Sequence, residues 1–235
     1  MNIEEMKQKR QMTQSILARA LIDLRDRQIQ KARIQFSNRL SAINNGADDD
    51  IYKSYIVKWS EYFKKTEKDL DAAILDLSMD FPIVDYMCKV KGVGMILSMK
   101  VVVMIDIKKA DTISKLWRYA GFGIVDGERE KPTKGEKLHY NKRLKSTCYL
   151  IGTSFLKSKS PYREIYDEAK AYYQSNRPNW TKDHIHKASM RKMIKIWLAH
   201  LWLVWRKLEN LETRDPYIAM SSKYHRIYTP EEFGW

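Results

Sequence analysis

Two glycines one residue apart, with lysines on either side, form the part of the sequence best suited to binding phosphate. They belong to the pattern Met87-x-x-Val90-x-Gly92-Val93-Gly94. Glycine permits a left-handed turn between two short helices, and its bare backbone lets a phosphate approach closely. The N–H groups at the start of the second helix would then face that phosphate. A simpler alternative is an ordinary helix end with Gly92 just past its last turn. The residues predicted to bind phosphate here are Lys89, Lys91, Gly92, Val93, Gly94 and Lys100.

The densest run of positive charge, residues 131–145, carries six Lys or Arg against one Glu. Histidine, tyrosine and asparagine are interleaved with these cations, and the Pro and Gly near its start predict a loop that leads into a helix. A membrane-binding segment would instead place its charges opposite a stripe of Leu, Phe and Trp. Nucleic acid is therefore the partner that this run favours. The predicted contact residues are Lys131, Lys134, Lys137, Tyr140, Asn141, Lys142, Arg143 and Lys145, together with Arg118 from the segment before the loop.

A third group of cations lies on the helix predicted over residues 181–208. Lys187, Arg191 and Lys195 are spaced i, i+4, i+8 and so share one face of that helix. A basic stripe backed by an apolar one suits a helix that faces phosphates, and the alternative is a solvent-exposed face. The side chains expected to pack in the core are Ile185, Met193, Ile196, Trp197 and Leu201, with Trp202 and Trp205.

Catalytic and metal-binding patterns are weaker than these cationic ones. Five acids of residues 106–130 could together bind a magnesium ion, although their alternation with Arg129 is typical of an exposed turn. His184 and His186 lack the spacing of two ligands on one helix face, so no zinc site is predicted. We predict no metal and no cofactor, with Mg²⁺ required only by a catalytic protein. The five acids are Asp106, Asp111, Asp126, Glu128 and Glu130.

Nearly all of the net charge of +14 comes from the later two thirds of the chain. Residues 1–80 contain 14 basic and 13 acidic side chains, and residues 81–235 contain 29 basic and 16 acidic ones. A regional excess of positive charge favours a polyanionic partner, because each phosphate contact releases condensed counterions. The alternative is a basic protein whose charges are scattered over its surface.

The sequence argues against secreted and membrane-spanning classes of protein. No hydrophobic segment opens the chain, and its most apolar runs are too short or too charged to span a bilayer. Cys88 and Cys148 lie far apart and match no metal-binding spacing, as expected in a reducing cytoplasm. We therefore predict a cytoplasmic protein without a membrane partner.

The first part of the chain predicts two long helices. Apolar residues recur at three- and four-residue spacing over residues 4–43 and again over residues 52–77. Between them lie Asn45, Gly46 and three aspartates at 48–50, whose carboxylates are suited to cap the second helix. Two such helices would form an antiparallel hairpin of the coiled-coil type.

A long hairpin with little core of its own favours association with a second copy. We predict a homodimer formed through residues 4–79, although the seam could also close within one chain. Four cations of the first helix are expected on its solvated face, with contact to phosphate as the alternative. They are Arg25, Arg27, Lys31 and Arg33.

After Phe81-Pro82 the periodicity changes to shorter helices. They are predicted over residues 83–89, 95–105, 112–120, 139–156, 162–174 and 181–208. The last 25 residues are expected to form an irregular tail that docks through its aromatic side chains (Tyr217, Tyr224, Tyr228, Phe233 and Trp235). We therefore predict an all-α fold, with a coiled-coil hairpin at residues 1–80 and a basic helical domain with a helix-hairpin-helix motif at residues 81–235.

The order of motifs in the second domain resembles one family of mobile-element proteins. The motifs are residues 91–94 (KGVG), 116–122 (LWRYAGF), 141–145 (NKRLK), 160–162 (SPY) and 188–192 (ASMRK), followed by Trp197 and Pro216-Tyr217. This succession resembles the C-terminal transposase domain of the DEDD-type insertion-sequence transposases, which work with a structured bridge RNA. The hairpin resembles their coiled-coil region, and the helix pair around Gly92 resembles the helix-hairpin-helix of DNA-binding and repair proteins.

The resemblance implies a DNA-binding protein of a mobile element or phage that acts in DNA transposition or recombination. It also implies a prokaryotic or viral source and association with the nucleoid. Family members carry a RuvC-like nuclease domain before the coiled coil, whereas this sequence begins directly at the coiled coil. The resemblance also implies a catalytic serine in a Ser-Gly pair of the basic loop, where Thr133-Lys134-Gly135 is the nearest match.

We therefore predict a transposase-related protein that binds DNA, with structured RNA as a further candidate partner, and that lacks its own nuclease domain. Two alternatives stay open. One is an active recombinase in which Thr133 replaces the serine, and the other is an RNA-binding structural protein.

Overall fold

The computed structural model describes residues 3–47, 51–124, 135, 138–213 and 228–235. Every regular element in these residues is helical and none is a β-strand, so the predicted all-α class is confirmed. No helix in the described ranges is long and apolar enough to cross a membrane. The chain divides into two compact units, Met1–Phe81 and Pro82–Trp235.

The first unit is built from a long interrupted helix and a second helix. Helix α1 (Ile3–Leu24) passes through a π turn (Arg25–Ile29) into α2 (Gln30–Asn44), and α3 spans Lys53–Ser78. The single helix predicted over residues 4–43 therefore contains a π turn. The turn lies at Arg25-Asp26-Arg27-Gln28, four polar residues that interrupt the apolar spacing of the helix. The aspartates at 48–50 lie outside the described residues.

Contacts between α3 and the interrupted helix run in opposite order along the two segments, so the two are antiparallel. The amide of Gln14 donates to Asp80 at 2.7 Å near one end. The rings of Phe36 and Phe63 lie 5.4 Å apart toward the other end. The apolar interior at the first end is small and includes Ala18, Ile22 and Ile74, all fully buried.

Charged side chains occupy the middle of this interior, at the π turn. The Arg25 guanidinium is buried and pairs with Asp71 and with Glu67, the latter at 3.1 Å. Glu67 is also buried, pairs with Arg33, and accepts a hydrogen bond of 3.0 Å from Gln30. The solvated position predicted for Arg25 and Arg33 is wrong, because both side chains face carboxylates of α3.

The outer surface of the first unit carries several of its largest apolar side chains. Trp59 is 43% exposed and Tyr55 is 64% exposed, although both belong to the apolar repeat predicted for α3. Ile51, Tyr52 and Tyr62 near the same end of α3 are exposed as well. The described part of this unit therefore exposes a row of aromatic side chains along one face of α3 and the turn before it.

The second unit is a cluster of helices. Its elements are α4 (Pro82–Lys89), α5 (Met95–Val102), α6 (Ile113–Tyr119), α7 (Lys142–Ser158), α8 (Tyr162–Asn176), α9 (Lys182–Leu208) and a 3₁₀ turn (Glu231–Phe233). Side chains that favour helix starts fix several boundaries, since Thr112, Asn141 and Thr181 each accept a hydrogen bond from a backbone N–H of the following helix. Helix α5 ends three residues before its predicted end, in a buried turn.

The core of the second unit is centred on α9. Trp197 and Trp202 are fully buried there and Trp205 nearly so, which confirms the prediction that these rings pack. The Phe155 ring of α7 lies 6.2 Å from the Trp197 ring and stacks on Tyr162 of α8 at 4.8 Å. Ile196 is half-buried, unlike the other predicted core positions of this helix.

Residues 228–235 dock onto this core through their aromatic rings, as predicted for the tail. The Phe233 ring lies 4.5 Å from Tyr162 and is almost completely buried. Trp235 Nε1 donates to the Tyr162 hydroxyl at 2.6 Å, and the Tyr228 carbonyl accepts from His200 Nε2 at 3.0 Å. Tyr217 and Tyr224 lie outside the described residues.

Candidate nucleic-acid interface

The turn between α4 and α5 is anchored on the end of α7. Gly92 adopts a φ of 100°, which glycine accepts without steric cost. A Cβ at Gly92 would lie 2.6 Å from Ser158 Oγ and 3.3 Å from the Phe155 ring. The missing side chain at Gly92 is therefore required by packing against α7, rather than by the approach of a phosphate.

Gly94 presents the open side of the same turn. Its backbone is extended, and it precedes α5 without any side-chain hydrogen bond to the first turn of that helix. No described atom lies within 4 Å of the position that a Cβ would take at Gly94. Val93 is buried, so its role is to hold the turn on the core, and direct contact with a ligand is not expected.

Lysines surround the turn from two elements. Lys89 and Lys91 are exposed, and the Lys89 ammonium lies 4.5 Å from the centre of the Tyr86 ring. Lys157 and Lys159, on either side of Ser158, are also exposed and were not among the predicted contacts. Their signal was the Lys-Ser-Lys sequence at a helix end, which becomes meaningful only once Ser158 is known to contact Gly92.

Lys100 lies in the last turn of α5 and is half-buried. It is six residues past Gly94, so its Cα lies about 9 Å along the helix from the open end of the turn. It is thus the predicted contact of this group that lies furthest along the chain from the turn.

The described ends of the basic loop are held together at its base. The Asn141 N–H donates to the Tyr119 carbonyl at 2.8 Å, and Asn141 Nδ2 donates to the Tyr119 hydroxyl at 3.0 Å. A Cβ at Gly121 would lie 2.8 Å from both Tyr140 and Lys145, and the Lys145 ammonium lies 4.4 Å from the centre of the Tyr140 ring. The chain therefore leaves and re-enters the core at nearly the same point.

The side chain of Asn141 is committed to this base. Its Oδ1 accepts from the N–H groups of Arg143 and Leu144 at 3.0 and 3.1 Å, which caps α7. Since its amide nitrogen also donates to Tyr119, the predicted contact of Asn141 with nucleic acid is replaced by a positioning role.

The remaining predicted loop residues divide between the surface and the part of the chain outside the description. Arg118 and Lys142 are exposed, and Arg143 and Lys145 are half-buried. The predicted residues that lie outside the described ranges are Lys131, Thr133, Lys134 and Lys137.

The basic stripe predicted on α9 is not a continuous exposed face. Lys187 is exposed and pairs with Asp183 at 2.7 Å. Arg191 is half-buried, and its guanidinium donates to the carbonyls of Phe122 and Gly123 at 2.6 and 2.8 Å. Arg191 therefore fastens the segment before the basic loop to α9, so its predicted place in an exposed, phosphate-facing stripe with Lys187 is wrong.

Lys195 lies one turn further along α9 and is half-buried. Its ammonium lies 4.0 Å from the centre of the Trp117 ring, and the Trp117 indole N–H donates to the Lys195 carbonyl at 2.9 Å. Burial lowers the pKa of Lys195 to about 8, and the charge of Arg191 adds to that shift. Lys195 is therefore partly neutral in mildly alkaline solution, when a lysine in water stays charged.

The two candidate metal ligands that the structure describes are engaged with other groups. Asp106 accepts from the Lys108 backbone N–H at 3.2 Å, and Asp111 pairs with Lys115 at 2.7 Å. Asp126, Glu128 and Glu130 lie outside the described residues. Among the residues that are described, no three His, Cys, Asp or Glu side chains are grouped to hold a metal ion.

The two histidines of the His-x-His pair have separate partners. The His186 Nδ1 is 2.7 Å from the Tyr166 hydroxyl, and the His184 ring is stacked on Trp180. The two rings therefore point to different partners, and their spacing in the sequence predicts this divergence.

The two cationic regions are carried by opposite ends of α7. Its first turns hold Lys142 and Lys145 at the base of the basic loop, whereas its last turn contacts Gly92. Lys145 and Ser154 are nine residues apart, or about 14 Å along the helix.

No family model matches the sequence, and no curated protein matches it either.

Proposed function

We propose that this chain is a DNA-binding protein related to the insertion-sequence transposases and that it acts in DNA transposition or recombination. In this proposal α4, the turn and α5 form a helix-hairpin-helix that grips backbone phosphates with little sequence preference. The observation that carries it is the open backbone at Gly94, beside the exposed lysines 89 and 91. A phosphate there would accept hydrogen bonds from the first turn of α5 and be held by these cations.

The base of the basic loop supplies a second contact in the same proposal. Arg118 and Lys142 are exposed there, close to the paired loop ends at Tyr119 and Asn141. Two phosphate-binding regions on one helix would fix the orientation of a duplex, and sequence would contribute little to affinity.

We further propose that the first unit forms a homodimer as an antiparallel coiled coil through residues 4–79. The exposed row on α3, which includes Tyr55, Trp59 and Tyr62, supports this part of the proposal because burial of aromatic rings drives association. Replacing Trp59 by Glu should convert the dimer to a monomer in sedimentation equilibrium. A Tyr172→Glu control on the second unit should leave the mass unchanged. A wild-type protein that sediments as a monomer at micromolar concentration would contradict the dimer.

The salt dependence of binding to duplex DNA of unrelated sequences tests the main proposal. Each lost phosphate contact reduces the magnitude of the negative slope of log K against log salt by about 0.9. The double variant Lys89→Gln/Lys91→Gln should therefore reduce that magnitude by about 2. The matched control Lys108→Gln/Lys109→Gln removes two exposed lysines of another loop and should leave the slope unchanged. Equal slopes for all three proteins would remove the turn from the interface.

Replacement of Gly94 by Val tests the open backbone directly. Valine accepts the extended conformation observed at this position, and the space around it is empty among the described residues, so the fold should persist. Its methyl groups would keep a phosphate away from the start of α5. We expect binding about tenfold weaker, the cost of roughly one charge-assisted hydrogen bond. Unchanged affinity in a folded Gly94→Val protein would refute phosphate binding at the turn.

Competition with RNA separates DNA binding from the RNA-binding alternative. A structured RNA that displaces DNA at sub-stoichiometric amounts would transfer the proposal to RNA. Displacement only at a large excess of RNA supports DNA as the partner.

A further inference from the structure

A continuous chain of aromatic rings lies on the surface where α8 ends and α9 begins. Tyr172 and Tyr173 are 5.5 Å apart between ring centres, and Tyr173 lies 5.3 Å from Trp180. Trp180 in turn is stacked on His184, at 4.0 Å and within 7° of parallel. Tyr172 is 56% exposed and His184 is exposed, so both ends of the chain are open to solvent.

Local hydrogen bonds hold these rings in place. The Trp180 backbone N–H donates to the Arg177 carbonyl at 3.0 Å, which closes a turn after α8. The Thr181 hydroxyl accepts from the His184 N–H at 3.2 Å and caps α9. Trp180 and His184 therefore sit on either side of a capping residue, and the pair is stacked before any ligand arrives. A pre-ordered ring pair loses little entropy on binding.

The surroundings of the ring chain are strongly cationic. Residues 170–192 contain six Lys or Arg and one acid, the same proportion as the basic run at 131–145. The one acid, Asp183, is paired with Lys187 at 2.7 Å. The Arg177 guanidinium lies 5.8 Å from the centre of the Trp180 ring, and Lys182 is exposed at the start of α9.

Arg191 adds to the positive charge felt by the ring chain. Burial raises the pKa of the Tyr173 hydroxyl, and the charges of Arg177 and Arg191 oppose that rise. Arg191 is the side chain that donates to the carbonyls of Phe122 and Gly123, so its contribution near the rings is long-range.

We propose that the ring chain of Tyr172, Tyr173, Trp180 and His184 binds the unpaired bases of a single-stranded nucleic acid. The exposed rings of Tyr172 and His184 would stack bases, with Tyr173 and Trp180 supporting them from the half-buried side. Arg177 and Lys182 would contact the phosphates between the bases. Every base has a π face, so the site would tolerate many sequences. The inference rests on the proposal that the partner is nucleic acid, but it uses residues other than those at the duplex-binding turn.

An oligothymidylate of about 12 nucleotides and an abasic strand of the same length test this site. Both carry the same phosphates, and only the first has bases to stack. We expect the oligothymidylate to bind about 5- to 100-fold more tightly, the range that stacking of one base supplies. Equal affinity for the two strands would overturn the proposal.

Variants locate the stacking surface. Trp180→Ala should abolish the preference for the strand with bases, whereas Trp180→Phe should retain most of it. Tyr172→Ala removes an exposed ring without touching the cap of α9, so it tests the site even where the loss of Trp180 disturbs folding. The matched control Leu150→Ala removes an exposed apolar side chain of α7 and should have no effect. A preference that survives both Trp180→Ala and Tyr172→Ala contradicts the proposal.

Two further measurements distinguish failure of the ring site from failure of the duplex-binding turn, and RNA from DNA. Lys89→Gln/Lys91→Gln should weaken duplex binding while the preference for bases in single strands persists. If the wild-type protein binds duplex DNA but shows no preference for the strand with bases, only the ring site is refuted. If the wild-type protein binds neither duplex nor single strands, both proposals are refuted. Oligouridylate in place of oligothymidylate distinguishes RNA from DNA, because the stacking chemistry is shared and the sugar is not.

Discussion

The two units of this protein place charged and apolar groups in opposite ways. The first unit buries Arg25 and Glu67 in its interior and exposes Tyr55 and Trp59 on its surface. The second unit buries Trp197, Trp202 and Trp205, with Trp197 fully enclosed, and most of the cations described in it are exposed. The interior of the first unit therefore depends on directional ion pairs, whereas that of the second depends on packed rings.

This difference teaches where each unit obtains its stability and its specificity. Buried ion pairs add little net stability, since desolvation offsets their attraction, but they are costly to break on one side. They fix which residues of two helices face each other, while the exposed rings on α3 remain for a partner. Packed aromatic rings stabilise the second unit by itself, so exposed cations such as Lys89 and Lys91 are not needed to hold its core together.

The largest expected effect is on the packed core of the second unit. Phe155→Ala removes a fully buried ring that contacts both Tyr162 and Trp197, and should lower the free energy of unfolding by about 4 kcal/mol. Leu150→Ala on an exposed face of the same helix should stay within about 0.5 kcal/mol. Urea unfolding followed by tryptophan fluorescence measures both. Similar costs for the two variants would mean that this core is not the source of stability.

The next effect is on the ion pairs of the first unit. Glu67→Ala removes the carboxylate that pairs with Arg33 and one of those around the buried Arg25, which keeps Asp71 and Asp26. It should cost about 2 kcal/mol of unfolding free energy. Replacement of the exposed Glu61 by Ala should cost less than about 0.5 kcal/mol. Circular dichroism at 222 nm during urea unfolding gives both values. A Glu67→Ala protein as stable as the wild type would show that these pairs contribute no specificity to the hairpin.

The two glycines of the turn sharpen the comparison within the second unit. Gly92→Ala forces a side chain into the left-handed region and against Ser158, and should cost about 2 kcal/mol. Gly94→Ala meets neither obstacle and should stay within about 0.5 kcal/mol. Thermal unfolding of the two variants decides this prediction. If the two variants lost equal stability, the anchoring of Gly92 on α7 would be in doubt.

The smallest effect at neutral pH concerns His200, which is uncharged in the folded core. Burial lowers the pKa of His200 to about 4 from its ordinary 6.5, and its Nδ1 accepts from the Tyr162 hydroxyl at 2.5 Å. Between these pH values the unfolded chain binds a proton that the folded chain does not. The free energy of unfolding should therefore fall as the pH drops from about 6.5 to about 4.

The variant His200→Gln should remove that part of the pH dependence. Urea unfolding at several pH values in this window, with the wild type measured alongside, isolates the contribution of His200. An identical slope in both proteins would mean that His200 is already protonated in the fold.

Local patterns predicted most of the helices. Apolar spacing predicted α3 and α9 within a few residues of their observed bounds, and Thr181, the predicted first residue of the last long helix, is observed as its cap. These features depend on residues within one or two helical turns of each other, which is the range of information that periodicity contains.

The roles of individual cations were harder to predict, because their partners lie far away in sequence. Arg25 meets Glu67 and Asp71 more than forty residues later, and Arg191 reaches Phe122 and Gly123 almost seventy residues earlier. Charge periodicity treats such residues as solvated. Arg206 gives the same lesson, since it is buried and donates to the carbonyls of Ile107 and Ala110. Net charge therefore overstates how many cations of the second unit are available to a ligand.

The π turn between α1 and α2 has a consequence for the rotation of the first helix. Such a turn accommodates one residue more than an α turn, so the side chains that follow it are displaced by about 100° around the helix axis. Deleting one residue between positions 25 and 29 would realign the two halves as a single straight rod. Either Ala18 and Ile22 or Arg33 would then point away from α3. The apolar end and the charged middle of the first unit can therefore both face α3 only if the extra residue is retained.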